Sequence, residues 1–230
     1  MSSTGNGKRG VLFDVDGTLV DSNYLHAVAW WQAFRRMEHD VPMSAIHRAI
    51  GMGGDKLVEH LLGEDRNKDE DEQLDATHGA IFSTWWPSLR SFDGASDLLN
   101  ACSDKDLTVV LASSASEAEL KFLRTVIEAD AAITGATSSS DAEASKPSPD
   151  ILEAALEAGG LQAQDTIFVG DSVWDVKAAG KLSIPTIGVT CGGTSEAELR
   201  EAGAQEVYEN PRDLLAALDT SLLGQLIARS

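Results

Sequence analysis

Val11-Leu12-Phe13-Asp14-Val15-Asp16-Gly17-Thr18 passes from an apolar run directly into two carboxylates and a glycine. The same grammar returns along the chain. Thr108-Val109-Val110-Leu111-Ala112 leads into Ser113-Ser114, Thr166-Ile167-Phe168-Val169 into Gly170-Asp171-Ser172, and Pro185-Thr186-Ile187-Gly188-Val189 into Thr190. A weaker run, Ala131-Ala132-Ile133-Thr134, precedes Gly135. Runs this short and uniformly apolar read as strands covered on both faces, as in a buried parallel sheet. Amphipathic segments of helix length separate them, at 94–103, 117–128, 149–158, 173–181, 196–202 and 211–218. Strand and helix in alternation predict an α/β protein with a doubly wound parallel sheet.

One interval breaks the alternation. Between positions 21 and 91 no strand-like run occurs. Tyr24, Ala27, Val28, Trp31 and Phe34 fall on one helical face there, and Leu57, Val58, Leu61 and Leu62 on another. The acidic run 64–72 reads as a solvated loop or helix end. The division this predicts is a core made of residues 1–20 and 92–230 with an all-helical insert at 21–91. An insert at that point hangs over the carboxyl ends of the strands, where open α/β sheets bind ligands. Trp85-Trp86 is expected to be exposed as a contact surface, although no feature of the sequence specifies an oligomeric state.

With 230 residues, 43% hydrophobic and 24% charged, the composition is that of a folded globular chain. Eighteen Lys and Arg against 37 Asp and Glu leave a net charge of −19. That balance argues against nucleic acid, because no basic stripe exists to displace counterions from phosphates, and an anionic membrane surface would repel the chain. A small ligand bearing phosphate must be held by a few local donors and a metal, against the overall field. Cys102 and Cys191 form neither a disulfide framework nor a metal-ligand pair. Residues 1–10 are polar and Ser/Gly-rich, without the apolar stretch of a signal peptide, and no apolar run approaches the ~20 residues of a membrane span. A cytoplasmic setting is the expectation.

The polar residues that follow the apolar runs carry the chemistry. Asp14 and Asp16 end the first run, Ser113 and Ser114 the second, and Asp171, Ser172 and Asp175 a later one, while Lys146-Pro147 opens another helical segment. Carboxylates, hydroxyls and one ammonium suit a Mg²⁺-assisted phosphoryl transfer, in which the cation offsets repulsion between a carboxylate nucleophile and a phosphate dianion. Residues two apart on a strand share a face, but one at the very end can turn away as the backbone leaves the sheet. Gly17 permits that departure. Asp14 can then point at phosphorus while the Asp16 carboxyl reaches the leaving oxygen. Taken singly, each feature has a plainer reading. Asp14 to Gly17 can be an Asp-Gly turn with two solvated acids, Lys146 an exposed helix-start lysine, and Ser172 a helix N-cap.

Together the features are more specific. Phe13-Asp14-Val15-Asp16-Gly17-Thr18-Leu19-Val20-Asp21-Ser22, then Ser113, then Lys146-Pro147-Ser148-Pro149-Asp150, then Gly170-Asp171-Ser172-Val173-Trp174-Asp175 resemble the four motifs of the haloacid dehalogenase superfamily, in chain order. Thr190-Cys191-Gly192-Gly193 and Ala202-Gly203-Ala204 resemble its C-terminal segment, and the insert resembles its helical cap. The likeness is nearest to the group of sugar-phosphate phosphatases, β-phosphoglucomutases and phosphoglycolate phosphatases. The resemblance implies a Rossmann-like core with a mobile cap, and transfer through an aspartyl-phosphate. It implies Asp14 as nucleophile and Asp16 as general acid and then base. Mg²⁺ would be held by Asp14, the Asp16 carbonyl and Asp171, with Asp175 in support. Ser113 and Lys146 would hold the phosphoryl oxygens, with backbone N–H groups near Val15 assisting. Ser114, Ser172, Gly17 and Thr18 would be supporting positions.

Dehalogenating and phosphonate-cleaving members differ two residues after the nucleophile, having no alcohol to protonate there, so Asp16 points to phosphate esters. Lys56 does not fall where phosphonate-cleaving relatives place their imine-forming lysine relative to Gly51. Asp21-Ser22-Asn23-Tyr24-Leu25-His26-Ala27-Val28-Ala29-Trp30 resembles the cap entry of β-phosphoglucomutases and several sugar-phosphate phosphatases. His26 is either a partner of Asp16 or the substrate, or a half-buried histidine beside Trp30. Mutases flank the stretch corresponding to Ile50-Gly51-Met52-Gly53-Gly54 with basic residues, where this chain has Ile50 and Gly54. The expectation is therefore a phosphatase acting on a small-molecule phosphate ester, with a sugar phosphomutase as the alternative. The loop with Gly51, Gly53 and Gly54 should reach into the site and offer room without charge, which fits a neutral sugar or polyol phosphate. A non-catalytic phosphate-binding module has little support, since every catalytic position carries a competent side chain. A glycosyltransferase metal motif would account for Asp14 and Asp16 but not for Lys146 and the 170–175 motif.

Overall fold

Strand β1 (Gly10–Phe13) lies at the middle of a parallel sheet, paired in register with β2 (Thr108–Ala112) on one side and β4 (Thr166–Gly170) on the other. The computed structural model describes residues 7–142 and 144–229. Residues 1–6, part of the polar N-terminal stretch noted above, lie outside them. The sheet has six strands in the order β3-β2-β1-β4-β5-β6, completed by β3 (Ile133–Thr137), β5 (Thr186–Val189) and β6 (Glu206–Tyr208). The chain reverses direction across the sheet at β1, so the loops after β1, β2 and β4 splay apart and leave a crevice at their carboxyl ends.

The strand sequences explain why the sheet sits where it does. Val11, Phe13, Val109, Leu111, Ile167 and Val169 point to one side, into a core shared with α5 (Ala95–Asp104) and α6 (Glu117–Ile127). Leu12, Val110, Ala112 and Phe168 point to the other, against α7 (Asp150–Gly159) and α8 (Val173–Lys181). Both faces are dry, which is why these runs show no polar alternation. The predicted strand at 131–134 is shifted: Ala132 N–H bonds Ala129 O in a turn, and pairing with β2 begins at Ile133. Strand β6 was not anticipated. It has three half-buried residues, one of them Glu206, and gains its strand state only by pairing with β5 at the sheet edge. Helix α9 (Glu196–Ala202) is capped by Ser195 and α10 (Pro211–Ala216) by Asn210. Helix α11 (Leu222–Ile227), also unanticipated, buries Leu223 and Leu226 in the first core.

Between β1 and α5 lie α1 (Asn23–Arg36), α2 (Met43–Ala49), α3 (Gly54–Leu62) and α4 (Asp71–Ser83). They share a hydrophobic cluster of their own, centred on Trp30, Phe34, Ile46, Leu57 and Leu74. The two connections to the core run side by side: Val20 bridges Ser91, Asp21 N–H donates to Arg90 O, and Phe92 N–H donates to Leu19 O. The buried face of α1 differs from the expected one. Asn23, His26, Ala27, Trp30, Ala33 and Phe34 are inside, whereas Tyr24 is 58% exposed and Val28 and Trp31 only half-buried. The apolar count missed this because the inward stripe of α1 includes two polar residues that the site uses. Trp85-Trp86 is likewise not exposed: both rings are half-buried against the main core, with Trp86 stacked on Phe122 at 5.0 Å. No helix among the described residues is long and apolar enough to cross a membrane.

Candidate active site

Asp14 follows the last residue of β1 and is tied to the sheet by its N–H, which donates to Val169 O. Its buried carboxylate accepts from Lys146 Nζ on Oδ1 (2.5 Å) and from Thr18 Oγ1 on Oδ2 (3.2 Å). Lys146 is 1% exposed; its ammonium also reaches Asp175 Oδ1 (2.8 Å) and Ala112 O (3.2 Å). It is therefore no exposed helix-start lysine but a buried cation paired with Asp14 and Asp175. Asp171, just past β4, accepts from Thr18 Oγ1 (3.1 Å) and Asn23 Nδ2 (2.8 Å). Thr18 has a single hydroxyl proton, so it serves Asp14 and Asp171 one at a time.

Asp14, Asp171 and Asp175 bring carboxylate oxygens within 4.8 Å of one another, all buried. Burial chiefly, helped by the charges of Asp175 and Asp16 and opposed by Lys146, pushes the Asp14 carboxyl up to about 7. Burial, then the charges of Asp175 and Asp14, hold Asp171 well above the ordinary carboxylate range. Three crowded, desolvated carboxylates facing one ammonium are short of positive charge. This hard-oxygen donor set fits a divalent cation.

Asp16 stands apart from that group. Ser22 Oγ donates to its Oδ1 at 2.6 Å, and His26 Nε2 lies 3.2 Å from the same oxygen. Burial acts to raise its pKa, but the bonds from His26 and Ser22 outweigh it and hold Asp16 below the ordinary value. His26 shifts upward in turn, its bond to Asp16 and the charges of Asp16 and Glu119 overcoming burial. His26 is thus the partner of Asp16, and it is His78 that stacks on Trp30, at 4.2 Å. His78 Nε2 lies 3.1 Å from His26 Nδ1, and Phe82 stacks on the His26 ring at 3.7 Å.

Ser113 is fully buried at the end of β2, where its Oγ accepts from Ala115 N–H at 3.0 Å. Ser114 Oγ is buried without a partner and lines the crevice. Ser172 and Asp175 form a capping box that starts α8: Ser172 Oγ accepts from Asp175 N–H, and Asp175 Oδ2 accepts from Ser172 N–H (3.0 Å) and Oγ (2.7 Å). The N-cap reading of Ser172 is thus correct, and through Asp175 the cap also aims a carboxylate oxygen at Lys146. Gly17 adopts a left-handed φ of 75°, and a Cβ there would strike Asn23 and Asp171.

A cavity of about 340 Å³ opens over Asp14 and Asp16. The loop bearing Gly51, Gly53 and Gly54 forms part of its wall. A Cβ on Gly51 would strike the Ser172 side chain and one on Gly53 the Ser145 side chain, so these glycines let the loop press against the core. Sequence reasoning missed Asn23, His78 and Glu119. Asn23 also donates to Gly192 O (3.0 Å), which ties α1 to the metal-competent carboxylates and to the loop after β5. No spacing rule marks such residues; their role follows from where α1, α4 and α6 meet.

The comparisons agree with this geometry. The family model for haloacid dehalogenase-like hydrolases matches residues 11–189. Phosphoglycolate phosphatases of Shigella boydii serotype 4 and Escherichia coli K12 are each 28% identical over 91% of this chain and 92% of their own. The crystal structure of a hydrolase from Pseudomonas syringae is 30% identical, with a TM-score of 0.88 over 93% of this chain and 99% of that one. A β-phosphoglucomutase from Clostridium difficile shares the fold at 15% identity, with a TM-score of 0.81 over 96% of this chain and 100% of its own. Strand order, the motifs at the ends of β1, β2 and β4, and a match across most of the chain lead to one family: the protein belongs to the haloacid dehalogenase-like hydrolases, and it is an enzyme.

Proposed function

We propose that the chain is a Mg²⁺-dependent phosphatase that hydrolyses a small phosphomonoester, a sugar or polyol phosphate, through a phosphoaspartate on Asp14. The observation that carries this reading is the pair Asp14 and Asp16, two residues apart at the switch point of the sheet yet in opposite electrostatic settings. Asp14 is crowded by carboxylates and oriented by Lys146 and Thr18, so its carboxylate is fixed for in-line attack. Ser22 Oγ and His26 Nε2 both engage Asp16 Oδ1, leaving Oδ2 for the leaving oxygen. Asp16 serves as acid for the departing alcohol and as base for the water that cleaves the phosphoenzyme. Lys146, the Ser113 hydroxyl and N–H groups near Val15 hold the phosphoryl oxygens, with Ser114 beside them.

Asp14, the Asp16 carbonyl and Asp171 would hold Mg²⁺, with Asp175 in support. When bound, the cation would offset the repulsion between the carboxylate nucleophile and a phosphate dianion. Residues 21–91 act as a cap that selects the leaving group and excludes water, hinged where 20–21 and 90–92 run side by side. No Lys or Arg appears among the described residues lining the cavity to grip a second phosphate, which favours a phosphatase over a mutase. Phosphate release from p-nitrophenyl phosphate tests the reading. It should require Mg²⁺ and vanish in Asp14→Asn, whereas full activity in EDTA after dialysis would overturn it.

A further inference from the structure

The helical segment 21–91, proposed above as a cap, is fastened to the core unevenly. Near the hinge the ties are dense: Ser22 bonds Asp16, and Asn23 bonds Asp171 and Gly192 O. Beyond α1 they thin out. Among the described residues, the one hydrogen bond that joins positions 37–83 to the core is donated by Trp174 Nε1 to Arg48 O, at 2.8 Å. Beside it a second cavity, of about 620 Å³, separates α1 and α2 from α8 and the loop after β5. Tyr24, Val28 and His47 line one wall, and Val173, Trp174 and Gly193 the other. The seam is therefore hollow where Trp174 crosses it.

The surroundings of Trp174 suit that crossing. It is the second residue of α8, directly after the stretch that supplies Asp171 and Ser172. Lys177, one turn on, places its ammonium 4.5 Å from the ring centre and braces the indole from the core side. The acceptor, Arg48 O, lies in the last turn of α2, where carbonyls have no partner within the helix. The His60 ring from α3 meets the indole edge-on at 5.5 Å, and a Cβ on Gly51 would come within 3.4 Å of it. One side chain thus touches the end of α2, the glycine loop and α3. The next residue, Asp175, turns inward to Lys146, so the first turn of α8 serves the cap with one side chain and the site with the other.

We infer that Trp174 is a positioning residue for the reaction: it holds the stretch 48–54 against the core and so keeps that part of the cavity wall over Asp14 and Asp16. Trp174 does not line the catalytic cavity itself and acts through the loop. Its contribution is to affinity for leaving groups that reach the cap, since a contact that favours the closed arrangement strengthens binding of whatever that arrangement encloses. The inference rests on the phosphatase and cap reading above and names the contact that maintains closure.

Trp174→Phe keeps a ring for His60 and Lys177 and removes only the N–H donor. Hydrogen-exchange mass spectrometry on the full chain without substrate should show amides of 48–54 exchanging about fivefold faster, with α8 and the central strands unchanged. With Mg²⁺, KM for 2-hydroxyethyl phosphate should rise about fivefold at unchanged kcat, while p-nitrophenyl phosphate changes less than twofold. His60→Leu removes a cap-side contact of the same ring without altering α8. It should move both readouts in the same direction by about twofold, and it carries the test if Trp174→Phe fails to fold, as judged by circular dichroism melting. Unchanged exchange at 48–54, or faster exchange confined to α8, overturns the inference. An equal loss of kcat/KM on both esters also overturns it, because that pattern marks a merely structural residue. If the wild-type enzyme hydrolyses neither ester, the phosphatase reading falls, and the exchange measurement alone decides whether Trp174 holds the loop.

Discussion

Asp14 and Asp16 show how far two identical side chains can be driven apart by their neighbours. Burial among carboxylates pushes one up to about 7, and bonds from His26 and Ser22 hold the other down. Their separate roles are testable by leaving-group chemistry. Asp16→Asn removes the acid and base but keeps the backbone carbonyl, so metal binding should persist. Turnover of alkyl phosphates should fall ~10²–10⁴-fold, the usual worth of general acid–base catalysis. The loss should be much smaller for phosphoryl transfer from p-nitrophenyl phosphate, whose leaving group needs no proton. Rapid-quench labelling should then trap phosphoenzyme on Asp14, because its hydrolysis lacks a base. Equal losses on both ester types, without labelled Asp14, would remove Asp16 from that role. Both aspartates, Lys146 and Asp171 were legible because motif spacing marks them; His78 and Glu119 were not, because neither lies near a motif in sequence.

At the scale of elements, the segment 50–54 is the informative one. Gly51 adopts φ +99°, a left-handed geometry, and its missing side chain makes room for Ser172. Gly51→Ala therefore combines backbone strain of roughly 1–2 kcal/mol with a contact that pushes the loop off the core. Turnover of an alkyl phosphate should drop about tenfold, a loss of about 1.4 kcal/mol in the transition state, with a smaller effect on p-nitrophenyl phosphate, which needs less cap contact. Steady-state kinetics on both substrates would check this, and an equal loss on both would count against a gating loop. The proposed hinge is better probed at Ser91 than at Ser22, whose hydroxyl bonds Asp16. Ser91→Pro should lower alkyl ester turnover selectively. Helix positions were readable from apolar spacing and Ser caps, and α8 and α9 match their predicted limits. The face of α1 and strand β6 were not, since one is buried on polar residues and the other exists only through its neighbour.

For the whole molecule, the crowded carboxylates link metal, pH and stability. The folded-state pKa of Asp14 lies above its unfolded value of 3.8, and Asp171 shifts in the same sense. Such groups contribute stability that is complete below the unfolded pKa and is lost as pH rises through the folded one. His26, raised by Asp16, acts in the same direction, whereas Asp16, held down, contributes stability that is lost only in strong acid. In EDTA the melting temperature should therefore fall between about pH 5 and pH 8. Saturating Mg²⁺ should raise it by about 5–10 °C at the upper pH, and by less at the lower. Differential scanning fluorimetry with and without Mg²⁺ would check this. No shift at pH 8, or a larger one at pH 5, would mean that the carboxylates do not hold the metal.

By itself the sequence determined the order of five of the six strands, the helical segment after β1, and the polar residues that close β1, β2 and β4. Those properties are local, set by apolar runs, caps and motif spacing. Only the tertiary structure decided which face of α1 is inward, that Trp85-Trp86 packs rather than projects, and that Asn23 ties that helix to Asp171. It alone gathered His26, His78 and Glu119, from three helices, beside Asp16. The reason is physical: the charge and hydrogen bonding of a buried group depend on every group that faces it, and these three are 41 to 93 positions apart in the chain.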